Sequence, residues 1–277
     1  MTKTTGGTPA ERPTPVADLI DLSGRTAIVT GAAVGIGYGI AYRLAEAGAA
    51  VVVADLDGDG AEAAAKQLVA DGFEAVAVQA DVADEQDVRA MVRAAVDRFG
   101  GVHILVNNAG IYPAIPVVGQ SLADFRRVID VNLTGVFLCV REVAEQMIVQ
   151  GAGGRIITVT SIDALHPSAV GLADYDASKH GVWGFTKNVA LELAPHGIAV
   201  TAIAPGGIAT PGATARAGAL PQGVDLEQLA AQFVARIPMG RLGDPDEIGR
   251  VALFLASDLA AYMTGTQVVV DGGALLR

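Results

Sequence analysis

Thr26-Ala-Ile-Val-Thr30 runs directly into Gly31-Ala-Ala-Val-Gly35-Ile-Gly37, and a helical pattern follows over 35–47. A β-branched run, a glycine-rich turn and a helix in that order make a strand–turn–helix unit. Glycine lets the backbone turn sharply and lets a pyrophosphate approach the amides at a helix N-terminus. The spacing Gly-x3-Gly-x-Gly departs from the Gly-x-Gly-x2-Gly fingerprint of many dinucleotide-binding turns. Its context carries the reading: it follows the first strand, opens a helix, and Asp55 stands at the end of the next strand, 24 residues after Gly31. A carboxylate there accepts hydrogen bonds from ribose hydroxyls and repels a 2′-phosphate. Ala33 and Val34 occupy turn positions where an NADP-binding turn often carries a basic residue. The expected cofactor is NAD, with NADP the less favoured.

The same alternation continues outward from this unit. Further strand candidates are Ala50–Ala54, Ala75–Gln79, Ile104–Val106, Arg155–Thr160, Ala199–Ile203 and Gln267–Val270. Helical patterns near 59–71, 84–98, 121–149, 174–194 and 245–256 lie between them. Strand–helix alternation is the signature of a parallel sheet. Runs such as Val51-Val52-Val53 are apolar on both faces, as strands covered on two sides require. No composition shift marks a linker, so residues 20–277 read as one domain. Residues 1–19, rich in Thr, Pro and Gly, read as a flexible tail and not as a signal peptide. The stretch 206–243, dense in Gly and Pro around Leu226, Leu229, Phe233 and Ile237, is a candidate substrate lid.

Tyr175 and Lys179 stand four apart in Tyr-Asp-Ala-Ser-Lys. On a helix that spacing places a phenol and an ammonium on one face. A neighbouring cation stabilises a phenolate, so the pair could take a proton from an alcohol or return it to an alkoxide.

Composition excludes other classes. Hydrophobic residues make up 51% and charged residues 18%, which supports a large core. A net charge of −11 without a basic run argues against a nucleic-acid surface. The single cysteine, Cys139, allows no intrachain disulfide and fits a cytoplasmic setting; within an apolar helical run it reads as a structural thiol. The uncharged stretches 104–123 and 197–215 are interrupted by Pro, Gly and Asn, so neither reads as a membrane helix. His103, His180 and His196 show no ligand spacing, and no metal is assigned.

These motifs, in this order, resemble the short-chain dehydrogenase/reductase family over residues 20–277. The resemblance rests on Thr30-Gly31-x3-Gly35-Ile36-Gly37, Asp81-Val82, Asn107-Asn108-Ala109-Gly110, Asn132, Ser161, Tyr175-x3-Lys179, Pro205-Gly206 with Thr210, and Asp271-Gly272-Gly273. It implies an α/β, Rossmann-like, doubly wound three-layer sandwich whose seven-stranded parallel sheet has the order 3-2-1-4-5-6-7. It implies four catalytic positions. Tyr175 is the acid/base; Lys179 binds the nicotinamide ribose and lowers the phenol pKa; Ser161 holds the substrate oxygen; Asn132 bends its helix and fixes a water in a relay to Lys179. Ser161 lies 14 residues before Tyr175, slightly more than is common in the family, which an insertion at Ile162–Val170 would absorb.

For the cofactor, the resemblance adds Leu56 beside Asp55, Asp81 on the adenine with Val82 beside it, and Asn108, Ala109 and Gly110 around the adenosine ribose. Pro205 and Gly206 lead to Ile208 and Thr210 on the nicotinamide carboxamide. Substrate-facing positions are Ser161, Asp163, Tyr112, Tyr175 and Gly207, together with Ile111, Ile162 and His166; Asp163 and His166 could meet sugar or polyol hydroxyls, although loop Asp and His are more often turn residues. The expected reaction interconverts a secondary alcohol and a ketone with NAD, on a polyol, a sugar or a cyclic or small alcohol. Alternatives are a 3-oxoacyl-carrier-protein reductase and a non-catalytic dinucleotide-binding protein. The apolar faces of 121–149 and of the helix after Tyr175 resemble the family's tetramer-forming pair, so a homotetramer or homodimer is expected.

Overall fold

The computed structural model describes residues 13–212 and 226–276. Seven strands, β1 (Thr26–Thr30), β2 (Ala50–Asp55), β3 (Ala75–Gln79), β4 (Ile104–Asn107), β5 (Gly154–Val159), β6 (Ile198–Pro205) and β7 (Gln267–Val270), form one sheet in the order β3-β2-β1-β4-β5-β6-β7. Every pairing is parallel. The order and the layering are those expected from the sequence.

Alternation along the strands divides the core between the two faces. Ala27, Val29, Val51 and Val53 pack on one side with Ile40 and Leu44 of α2 (Gly35–Glu46), Leu68 of α3 (Gly58–Ala70) and Ile248 and Leu255 of a late helix, Pro245–Ala256. Ile28, Val52 and Leu105 pack on the other with Met91 of α4 (Glu85–Phe99), Val143 and Met147 of α6 (Gly135–Gln150) and Val182 of α7 (Ala173–Leu193). Helices therefore cover both faces of an apolar sheet, and the polar chemistry gathers where the strands end.

Three expectations need correction or qualification. Residues 1–12 of the expected tail lie outside the described residues, but Val16–Ile20 is a helix, α1, packed near the turn Asp258–Ala260. Pro15 presets the backbone at its start and Asp18 complements the helix dipole in the first turn. The helix expected over 121–149 is two helices, α5 (Leu122–Ile129) and α6, joined by a π-helical turn at Asp130–Thr134. Of the lid segment 206–243, residues 213–225 lie outside the described residues. The remainder contains α8 (Leu226–Ala235) and a parallel bridge between Ile208 and Gly243, just before α9 (Pro245–Ala256).

Candidate active site

All the strands end on one side of the sheet, and β1 lies between β2 and β4. At that point the connections leave towards opposite faces and open a crevice at the carboxyl ends. The Gly31–Gly37 turn forms its floor. A Cβ on Gly37 would lie 2.0 Å from the Gly31 carbonyl oxygen, so no side chain fits there. Gly31 adopts φ +63°, a left-handed conformation that glycine tolerates best.

β4 holds this turn from beside it. Asn108 Nδ2 donates to the carbonyls of Thr30 and Gly31, at 3.0 and 2.9 Å. Thr30 Oγ1 accepts from the backbone N–H groups of Asn108 and Ala109. The Asn108 side chain thus braces the glycine turn from the edge of the crevice. Thr30 is a bracing residue that its sequence position, a small hydroxyl ending a strand, does not reveal.

The crevice fits a dinucleotide on its own geometry. No side chain caps the N-terminus of α2, leaving its first-turn amides for an anion. Asp55 ends β2 with Oδ2 accepting from Ala33 N–H at 3.0 Å and Oδ1 accepting from Asp57 N–H at 3.1 Å. That fixes the carboxylate at the mouth of the turn. Leu56 is 62% exposed beside it. Asp81 is set by Ala83 N–H on its Oδ1, and Val82 is buried beneath Gly135. Pro205 ends β6, Gly206 N–H donates to Val270, and Ile208 is buried at its bridge to Gly243. Thr210 comes over the glycine turn: a Cβ on Gly35 would lie 3.5 Å from Thr210 Cβ.

The four expected catalytic residues gather on the other side of the crevice. Asn132 sits in the π-helical turn, 0% exposed. Its Oδ1 accepts from Ile111 N–H and its Nδ2 donates to Ile111 O, each at 2.8 Å. Nδ2 also donates to Ser178 Oγ at 3.1 Å, and Ser178 in turn donates to the Tyr175 carbonyl at 2.6 Å. Ser178, one helical turn after Tyr175, is a second contributor the sequence left unmarked. Gly110 closes the group: a Cβ there would lie 3.3 Å from Asn132 Oδ1 and 3.7 Å from Lys179 Nζ.

Lys179 is 5% exposed and donates from Nζ to the Val159 carbonyl at 2.8 Å. Burial pushes its pKa down to about 8. Its Nζ lies 5.6 Å from the centroid of the Tyr175 ring. The Tyr175 phenol is raised above its ordinary value, chiefly by burial, with Asp163, Tyr112 and Asp176 adding to the rise. Desolvation dominates that rise, and the neighbouring Lys179 ammonium is engaged with the Val159 carbonyl. A hydrogen bond from Ser161 opposes the rise, provided the serine proton is free to make it.

Ser161 follows β5 and opens a single 3-10 turn, Ile162–Ala164. Its Oγ donates to Asp163 Oδ2 at 2.9 Å and accepts from Asp163 N–H at 3.1 Å. Asp163 Oδ1 accepts from Ser168 N–H at 2.8 Å, so both carboxylate oxygens bind the protein itself. Tyr112 packs against Tyr175 with ring centroids 5.7 Å apart. Gly207 is not open to a substrate on its Cβ side, where Phe233 Cε1 would lie 2.5 Å from an added carbon. His166 is exposed, with Nδ1 beside its neighbour's carbonyl. Among the described residues no group of three or more His, Cys, Asp or Glu is placed to hold a metal ion. No helix among them is long and apolar enough to cross a membrane.

A family profile described as enoyl-(acyl carrier protein) reductase matches residues 31–274. A 3-oxoacyl-[acyl-carrier-protein] reductase of Synechocystis sp. is 42% identical over 257 residues, covering 92% of this chain and 98% of that protein. A 3beta-hydroxysteroid dehydrogenase of Eggerthella lenta is also 42% identical, over 262 residues, covering 92% and 95%. In structure, a short-chain type dehydrogenase/reductase from Mycobacterium marinum superposes with a TM-score of 0.89 at 38% identity, covering 95% of this chain and 100% of that one. The first two act on different substrates, so likeness alone leaves the alcohol open.

Proposed function

The chain belongs to the short-chain dehydrogenase/reductase family of NAD(P)-dependent oxidoreductases, and from that premise we propose that it interconverts a secondary alcohol and a ketone with NAD. The observation that carries the reading is the convergence of Asn132, Ser161, Tyr175 and Lys179 at the carboxyl edge of β4 and β5. When bound, the dinucleotide supplies the hydride acceptor. Asp55 would take its adenosine ribose, the α2 N-terminus its pyrophosphate, and Thr210 its nicotinamide end. Lys179 would reach the nicotinamide ribose with the ammonium protons not given to Val159.

Tyr175 takes the hydroxyl proton as the carbinol carbon gives up hydride, and Ser161 grips the same oxygen from a second side. Lys179 carries the proton outward. Both Asn132 amide protons are engaged, with Ile111 and Ser178, so a relay water at this turn would meet acceptors only, the backbone carbonyl or Oδ1. Orientation and pre-set hydrogen-bonding groups would provide most of the rate. Tyr112 adds a flat apolar wall beside Tyr175, which suits a cyclic or small alcohol better than a polyol. The handles for polyol hydroxyls are few: Asp163 is engaged internally and Gly207 is covered.

Neither the turn 31–37 nor the segment 55–60 contains Lys or Arg to meet a 2′-phosphate, which supports NAD over NADP. Reduction of a 3-oxoacyl-carrier-protein, suggested by the Synechocystis relative, stands second because a net charge of −11 opposes an acidic carrier. Exposed Phe137, Val149 and Leu191 on α6 and α7 support self-association through those helices. A monomer by light scattering would count against that assembly.

The deciding experiment follows NADH absorbance with purified protein and a panel of cyclic alcohols, hydroxysteroids, sugars and polyols. Turnover of one class, reduced at least about 1,000-fold by Tyr175→Phe, is the expected result. Unchanged turnover in that variant would remove Tyr175 from the chemistry.

A further inference from the structure

The loop between β4 and α5 touches the start of α7 at two places. Tyr112 lays its ring against that of Tyr175. Eight residues on, Gln120 Nε2 donates to Asp174 Oδ2 at 2.5 Å. Asp174 and Tyr175 are consecutive in the first turn of α7, so the loop departs from and returns to one spot. Between these contacts Ile115 N–H donates to the Gly171 carbonyl at 3.0 Å, just ahead of α7.

Asp174 is 0% exposed. Leu172 at the N-cap of α7 gives no side-chain bond, and Asp174 Oδ1 takes the Tyr175 N–H at 2.7 Å instead. Its other oxygen has the Gln120 amide. Neither donor is a cation. A buried carboxylate is stable only where hydrogen bonds replace lost water, and the negative charge strengthens the bond that Gln120 gives. We propose that Gln120 and Asp174 form a latch that shuts the 112–120 loop onto α7, with Asp174 a positioning residue that holds Tyr112 as a wall of the alcohol site.

The consequence for substrate rests on the reading of Tyr112 as that wall; the latch itself does not. Tyr112 also reaches the segment after β6, where a Cβ on Gly212 would lie 3.2 Å from its Oη. A shut loop therefore sets the width of the site between Tyr175 and that segment. Opening it frees the Tyr112 ring and weakens the grip on the alcohol. The reacting groups keep their own bonds, since Asn132 is held by Ile111 and Lys179 by Val159. The start of α5 also survives, because Ser121 and Asp124 cap it independently of Gln120.

Gln120→Glu tests the latch by setting a second carboxyl against Asp174. Two facing carboxyls share a proton in acid and repel once it is lost. The charged neighbours are Asp176 on α7, with Asp163 and His180 beyond it, and Asp124 in the α5 capping box. The new carboxyl therefore closes the latch at low pH and swings to solvent as pH rises. Tyrosine labelled with ¹³C in its ring reads the wall without cofactor or substrate, Tyr112 being assigned by its loss in Tyr112→Phe. Its signal should titrate between about pH 5 and about pH 8 in Gln120→Glu and stay constant in the wild type. Adding Asp174→Asn to Gln120→Glu should abolish the titration, because the asparagine amide donates to the new carboxyl while its oxygen keeps the Tyr175 N–H. With an alcohol found by the NADH panel, Gln120→Glu should raise KM at least about fivefold over wild type across that range, with kcat within about twofold. A Tyr112 signal that follows the wild type's, a paired variant that titrates like the single one, or a fall in kcat at constant KM overturns the inference. Should Gln120→Glu not fold, Gln120→Asn, one methylene too short to reach, should shift the Tyr112 signal at every pH, and an unshifted signal overturns the inference. Absence of turnover across the panel would count against the proposed activity alone, and the ring signal would still decide the latch.

Discussion

At the scale of single residues, Lys179 is the side chain whose burial has the plainest thermodynamic consequence. Its pKa of about 8 in the folded protein lies below the ordinary lysine value of 10.5. Between those values the unfolded chain binds more protons than the folded one, so stability rises with pH across that window. The cost of the buried ammonium is fully present below about pH 8 and is relieved as pH climbs through it. Relative to Lys179→Met, the wild-type protein should therefore gain at least about 1 kcal/mol between pH 8 and 10 in urea unfolding. A flat difference would show that the ammonium is not desolvated. The Tyr175–Lys179 pairing was legible because helical periodicity alone places residues four apart on one face. The bonds of Asp163 to Ser161 and Ser168 were not, because sequence pattern does not reveal which way a loop carboxylate turns. The bracing role of Asn108 was not legible for a similar reason, its amide reaching back to carbonyls nearly 80 positions earlier.

At the scale of elements, strands and helices were largely legible to within a residue or two. Strands apolar on both faces and helices with one apolar stripe leave few alternatives. The π-helical turn at Asp130–Thr134 is the exception. Residues 122–134 contain neither Pro nor Gly, so local propensity favours one continuous helix. The turn is tied instead to the docking of Asn132 on the backbone of Ile111, 21 positions away. Truncating that side chain strands part-buried backbone groups of Ile111. Asn132→Ala should cost roughly 2–4 kcal/mol in chemical denaturation, more than an exposed helical Asn would. A loss below about 0.5 kcal/mol would mean that the turn does not depend on this brace.

At the scale of the whole molecule, the strand order places Asp55, the glycine turn and the Asn132, Ser161, Tyr175 and Lys179 group around one crevice. Ligand that binds only the folded state raises the melting temperature according to its affinity. NAD should therefore raise it more than equimolar NADP, and Asp55→Ala should narrow the gap; a larger shift with NADP would reverse the cofactor assignment. The same strand order has a consequence for how the chain acquires this crevice. β1 pairs with β2 across 24 positions, Thr26 with Ala50, but with β4 across 77, Ala27 with Ile104. Closing the longer loop is the slower event, and it brings Asn108 onto the glycine turn. During synthesis the first three strands can emerge and pair while that brace is still unmade. Competence to hold a nucleotide is thus acquired late, gated by the arrival of a strand that contributes no phosphate contact of its own.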